Sequence, residues 1–128
     1  MISTAIIAAA SLATFARGIN SVKERMEFKR QALQITHSNR PHQGWWYMDV
    51  NPSSTPMKLN AASSLVDLPI GSDIVDEGLI ELVRRTRVGG RTSGGFYTAY
   101  VPILGRLAPR FCYASLHSDG VRIVGRVE

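Results

Sequence analysis

The fold is decided by residues 110–128, RFCYASLHSDGVRIVGRVE. Two runs of alternating apolar and polar residues flank Asp119-Gly120, a dipeptide that favours a tight hairpin turn. With that pair as the two-residue turn, Leu116 faces Ile123, Ala114 faces Gly125 and Cys112 faces Val127 on one face. His117 with Arg122, Ser115 with Val124 and Tyr113 with Arg126 fall on the other. The first face is apolar and the second largely polar, so Cys112 is expected in the core and Arg122 and Arg126 at the surface. An antiparallel, strand-rich domain follows from this reading.

Upstream, GWWYMDV (residues 44–50) reads as a further strand, with Trp46, Met48 and Val50 alternating with Trp45, Tyr47 and Asp49. NPSSTP (51–56) is a turn-rich connection. SDIVDEGLIELVRRTR (72–87) admits two readings. As a helix near 73–86 it is capped by Ser72 or Asp73, has Asp76 and Glu77 early and Arg84, Arg85 and Arg87 late, as the helix dipole favours. Val75, Leu79, Leu82 and Thr86 then share a face. Against it, Gly78 weakens a helix by about 1 kcal/mol relative to Ala, and LIELVRRTRV, GGRTSGG and FYTAYVPIL fit two long strands joined by a glycine loop. The helix is favoured.

The N-terminus differs in texture. Residues 1–16 carry no charge, and as a helix they span roughly 24 Å at ~1.5 Å per residue, short of the roughly 30 Å hydrocarbon core. An export signal requires a basic stretch before its apolar core, and none precedes this one. Steps of three and four from Ala5 give Ala8, Leu12, Phe15, Ile19, Val22, Met26, Lys29, Leu33 and Thr36, an apolar seam on one helix face. One helix from about residue 3 to 36 is therefore expected. It ends before HSNRPHQG (37–44), where Pro41 and Gly44 mark a loop. Its first turns are apolar all round, which requires burial in protein or lipid. The helix either folds back on its own domain, or uses Leu12, Phe15, Ile19, Val22 and Met26 to contact other copies, a larger assembly or a membrane through residues 1–17.

Charge is segregated along the chain. Residues 1–40 carry six basic and two acidic side chains, residues 41–83 one and six, and residues 84–128 eight and two, giving +4, −5 and +6 and the net +5. The acidic middle either pairs with a basic segment or leaves basic surface for an anionic partner, nucleic acid or acidic lipid. Arg84, Arg85, Arg87 and Arg91 are the candidates for such a contact. The single cysteine cannot form an internal disulfide, which favours a reducing compartment or an assembled particle over an oxidising one.

No spacing names a chemistry. GGRTSGG (89–95) lacks the Lys-Ser/Thr ending of a phosphate loop and the GxGxxG spacing. His37 and His42 have no neighbouring ligand to complete a metal site, and Cys112 and His117 fall on opposite strand faces. GGFYTAYVP interleaves aromatics beside arginines, as single-strand binders do, but Gly94 stands where the RNA-recognition consensus needs a basic residue.

RMEFKRQALQ (25–34), after a small-residue apolar segment, resembles the N-terminal organisation of calicivirus minor capsid proteins. The resemblance covers about ten residues and no functional motif, the strand-rich remainder departs from it, and what it implies is a virion or assembly component.

The expectation is an α+β protein: a long N-terminal helix over 1–38, then a small, mainly antiparallel strand-rich domain over 39–128. It is expected to be a non-enzymatic structural or assembly protein, without cofactor or metal. It docks or self-associates through the helix and presents a basic surface. Membrane anchoring, nucleic-acid binding and a minor virion role are the alternatives.

Overall fold

A computed structural model describes residues 21–38, 40, 42–90 and 93–127. In chain order the elements are α1 (Val22–Thr36), β1 (Trp45–Asn51), β2 (Lys58–Ala62), α2 (Glu77–Gly89), β3 (Gly94–Ile103), β4 (Arg106–His117) and β5 (Gly120–Arg126). The strands form one antiparallel sheet in the order β2-β1-β5-β4-β3. The α+β, strand-rich character is as the sequence implies.

The chain divides into two units, residues 1–31 and 32–128. In the first, α1 begins where its own sequence starts it. Ser21 Oγ accepts the Glu24 N–H at 3.1 Å and the Ser21 carbonyl accepts the Arg25 N–H at 3.0 Å, the two bonds of an N-cap residue. The helix is 15 residues long, so one continuous helix from residue 3 to 36 is not what forms. A capping serine has left the helical path and satisfied the first free donors, which is how a helix starts rather than continues. Leu12, Phe15 and Ile19 lie outside the described residues.

The second unit is built on the sheet. Trp46, Met48 and Val50 of β1 are buried with Val121 and Ile123 of β5, Cys112 and Ala114 of β4, and Ala99, Val101 and Ile103 of β3. Leu79, Leu82 and Val83 of α2 complete this cluster. The opposite face is less polar than the alternation implies, since Tyr113, Ser115 and Val124 are also buried. Ser115 Oγ meets Thr36 Oγ1 at 3.3 Å, which joins the end of α1, where Ala32, Ile35 and Thr36 are buried, to this face.

The β4–β5 hairpin corrects the expected register by two residues. Leu116 pairs with Val121, Ala114 with Ile123 and Cys112 with Gly125, so the turn is Ser118-Asp119, with Ser118 at φ 52°. Gly120 belongs to the strand. A Cβ there would lie 2.7 Å from the Val50 carbonyl oxygen of β1, so glycine serves close strand approach rather than the turn. Because the slip is an even number, every residue keeps its expected face.

Residues 77–89 are helical, as favoured, but the cap is Asp76 rather than Ser72 or Asp73. Val75 precedes the helix and is 80% exposed, and Val83 takes its place on the buried face.

Candidate functional site

Two features gather functional side chains: the exposed end of α2, and a cleft beside β1. The position of α2 is fixed at its N-terminus by one carboxylate oxygen. Asp76 Oδ1 accepts the Leu79 N–H at 3.1 Å and the Tyr97 hydroxyl at 2.5 Å. The second bond, from β3, holds the phenolic proton so firmly that the Tyr97 pKa is pushed up to about 12, with burial and the Asp76 charge adding to it. Gly78 makes this approach feasible, because a Cβ there would sit 2.8 Å from the Tyr97 ring carbons and closer still to its oxygen. At the far end, Thr86 Oγ1 donates to the Leu82 carbonyl at 2.8 Å, which satisfies a hydroxyl inside the buried stripe.

With Leu79, Leu82, Val83 and Thr86 turned inward, the 100° helical step sends Glu81, Arg84, Arg85 and Val88 outward, and all four are exposed. Val88 is 87% exposed between the arginines. Arg87, on the flank, donates from Nη1 to the Asp119 carbonyl at 3.0 Å. Among the described residues no carboxylate pairs with Arg84, Arg85 or Arg87. Three of the four candidate arginines thus share one helix end. Arg91 lies outside the described residues. Val22 and Met26 of α1 are 78% and 57% exposed; Leu12, Phe15 and Ile19 lie outside the described residues.

Four of the six carboxylates of the acidic middle are used elsewhere, leaving Glu77 at the start of α2 and Glu81 on its exposed face. Asp73 pairs with Lys58, Asp67 Oδ2 accepts the Gly105 N–H at 2.5 Å, and Asp76 caps α2. Asp49 accepts two bonds from Arg122, Nε to Oδ1 at 2.6 Å and Nη2 to Oδ2 at 2.8 Å. The guanidinium also lies over the Tyr47 ring, 4.3 Å from its centroid. Arg122 is therefore half-buried and engaged, not the free surface cation that strand alternation implies. Asp49 and Arg122 are opposite each other in the β1–β5 register, a pairing of distant segments that no local signal announces.

A cleft of about 870 Å³ opens here, with Trp45, Trp46, Tyr47, His42, His117 and Arg122 among its lining. Trp46 Nε1 and His42 Nε2 are buried with no hydrogen-bond partner among the described residues. Burial, and then the neighbouring Arg122 charge, lowers the His117 pKa, against a smaller raising effect of Asp49. The lining offers aromatic walls, nitrogen groups and positive charge. Its hydroxyl at Ser63 is occupied by the Tyr47 N–H at 3.2 Å.

Cys112 is fully buried on the core face, and burial pushes its thiol up to about 12, so it is a packing residue and not a thiolate. No group of three or more His, Cys, Asp or Glu side chains among the described residues could hold a metal ion. No described helix is long and apolar enough to cross a membrane, and residues 1–17 lie outside that statement. Compared with protein-family models, curated proteins and solved structures, the chain finds no match in any of the three.

Proposed function

We propose that this chain is a non-enzymatic structural or assembly protein that presents the end of α2 to an anionic partner. The observation that carries this reading is the exposed group Arg84, Arg85 and Arg87, which the acidic segment of the same chain leaves without a carboxylate. Arg91, four residues further along the sequence, lies outside the described residues. Paired arginines would be a solvated internal face; unpaired ones on one helix end form a concentrated cationic surface that attracts phosphate.

The test is the triple replacement of Arg84, Arg85 and Arg87 by Gln, with affinity for a single-stranded RNA and for anionic lipid vesicles measured across a salt series. Each phosphate that the protein no longer neutralises lowers the salt slope by about 0.7 for a single strand, so removing three arginines changes it by about 2. If the parent protein binds neither ligand at low salt, or the variant keeps the parental slope, the arginines serve no anionic partner. RNA binding alone favours the nucleic-acid module, and vesicle binding alone the membrane surface.

A second reading, docking through the N-terminal segment, is favoured by the exposure of Val22 and Met26. Leu12, Phe15 and Ile19 extend the same apolar series toward the N-terminus. The contact is with other copies, as in a virion or another assembly, or with a membrane. Phe15→Asp is expected to abolish self-association or membrane recovery. Unchanged sedimentation together with unchanged fractionation would remove the external role of this segment.

A further inference from the structure

The cleft beside β1 is lined, among the described residues, by side chains of the second unit alone. Its charged groups there are Arg40 and Arg122, joined by the imidazoles of His42 and His117, and no carboxylate is among them. A neighbouring cavity of about 540 Å³ shares His117 but sets Asp49 and Asp119 against Arg87. The larger cleft is therefore the one whose lining has a single sign, and that sign selects an anion.

The cations have donors to give. A guanidinium carries five N–H groups, and Asp49 takes one from Arg122 Nε and one from Nη2. Nη1 makes no bond among the described residues. Asp49 offsets the Arg122 charge, so Arg122 contributes directed donors while Arg40 contributes the net charge. Arg40 is exposed, and among the described residues its guanidinium has no ion pair.

The rest of the lining is suited to a ring and its hydroxyl groups. Trp45 and Tyr47, half-buried on one face of β1, give flat apolar surface, and a planar base stacks on such surface whatever its sequence identity. Ser38, Gln43 and Ser64 add hydroxyl and amide groups. Burial and the Arg122 charge lower the His117 pKa, so its imidazole is neutral near pH 7 and offers one donor and one acceptor. The volume of about 870 Å³ lies in the range of roughly 300–1,000 Å³ that small organic ligands occupy, far more than a bare phosphate fills.

We propose that this cleft binds a nucleotide, free or as one unit of a single strand, with the base against Trp45 and Tyr47 and the phosphate drawn by Arg40 and Arg122 Nη1. A nucleotide joins in one molecule the three chemistries of the lining: an aromatic ring, hydroxyl groups and an anion. An alkyl acid would leave the aromatic and hydroxyl groups unused, and a simple phosphate would leave the rings unused. The site is separate from the arginines of α2 and does not depend on their having a partner.

The chain has two tryptophans, Trp45 and Trp46, and both line the cleft, so intrinsic fluorescence reports on it directly. The full chain is titrated with AMP and with UMP, and then with adenosine and ribose 5-phosphate as competitors. Saturable quenching by a nucleotide is expected. Adenosine, which lacks the phosphate, and ribose 5-phosphate, which lacks the base, should each bind roughly tenfold or more weakly than AMP. Arg40→Gln, and the pair Asp49→Asn, Arg122→Gln, which removes the donors without leaving a bare carboxylate, should each weaken AMP by a similar factor. The triple replacement of Arg84, Arg85 and Arg87 by Gln should leave AMP binding unchanged. No quenching by AMP or UMP up to about 1 mM, adenosine or ribose 5-phosphate binding as tightly as AMP, or parental affinity in both cleft variants overturns the proposal. Loss of AMP binding in the triple variant also overturns it, by moving the nucleotide to α2. Should the cleft variants fail to fold, the comparison of AMP with its two fragments on the parent decides. A uridine oligonucleotide that displaces UMP assigns the site to a strand, and one that does not assigns it to the free nucleotide; both results uphold the site.

Discussion

Asp76→Ala tests how α2 is held to the sheet. One oxygen of this carboxylate both caps the helix, at 3.1 Å from the Leu79 nitrogen, and receives the Tyr97 hydroxyl at 2.5 Å. Loss of an N-cap costs about 1 kcal/mol, and loss of a hydrogen bond to a charged acceptor about 1.5–3 kcal/mol. The substitution is therefore expected to destabilise by roughly 2.5–4 kcal/mol, seen in urea unfolding as a lower midpoint with an unchanged slope. Tyr97→Phe removes the second bond alone and leaves the cap, so it costs less. In the double variant the shared bond is counted once, giving a coupling of about 1.5–3 kcal/mol. Titration supplies an independent readout. The Tyr97 phenol, raised to about 12 in the folded chain from an ordinary value of 10, is expected to titrate nearer 10 in Asp76→Ala. The folded state holds this proton more tightly, so the stability it contributes is complete below pH 10 and is lost as pH climbs from 10 to about 12. Single costs that add to within about 0.5 kcal/mol, with an unmoved Tyr97 titration, would refute the shared-oxygen arrangement.

Gly78→Ala should invert the usual helix preference. Alanine ordinarily gains about 1 kcal/mol over glycine in a helix, but here its methyl would press on the Tyr97 ring; a net loss of about 1–2 kcal/mol is expected, and a gain in thermal stability would show that the ring is free to move aside. Arg122→Gln leaves Asp49 without its two-bond partner at a site where both side chains are under a fifth exposed; about 2–3 kcal/mol should be lost in denaturant unfolding, and most of it should return in the Asp49→Asn, Arg122→Gln pair, whereas equal instability of single and double variants would assign the cost to the Tyr47 stacking instead.

The fold was legible where a signal is local. Alternation put Trp46, Met48 and Val50 on one strand face, and the apolar spacing of Leu79, Leu82 and Thr86 marked a helix face. What failed did so at the ends of elements. Ser21 and Glu24 form the S-x-x-E pattern of a capping box, a readable stop to the idea of one long helix, yet the apolar seam continues across Ser21 because spacing along a face does not register a break in the backbone. Asp119-Gly120 imitated a turn because its glycine is required by β1, which comes from a distant part of the chain. Gly78 counted against a helix for the same kind of reason: its value lies in contact with Tyr97, nineteen residues later in sequence.

The charge pattern shows how far a site can be read before folding. The acidic block, at −5 over residues 41–83, favours pairing within the fold or between subunits but leaves a free basic surface open, since net charge carries no partner assignments. Folding divides the answer by geometry. β1 lies against β5, which brings Asp49 to Arg122; β2 is covered by the segment holding Asp73, which meets Lys58; Asp67 and Asp76 accept backbone N–H groups. Each acceptor bonded in this way is withdrawn from the arginines of α2, whose inward stripe of Leu79, Leu82, Val83 and Thr86 forces Arg84 and Arg85 outward. That no carboxylate is bonded to Arg84, Arg85 or Arg87 among the described residues, with only Glu81 on the same exposed face, is thus a consequence of which strands neighbour one another and of one helix's rotation. A sheet order with β1 remote from β5 would have left Asp49 available and Arg122 exposed, from the same residues and the same net charge.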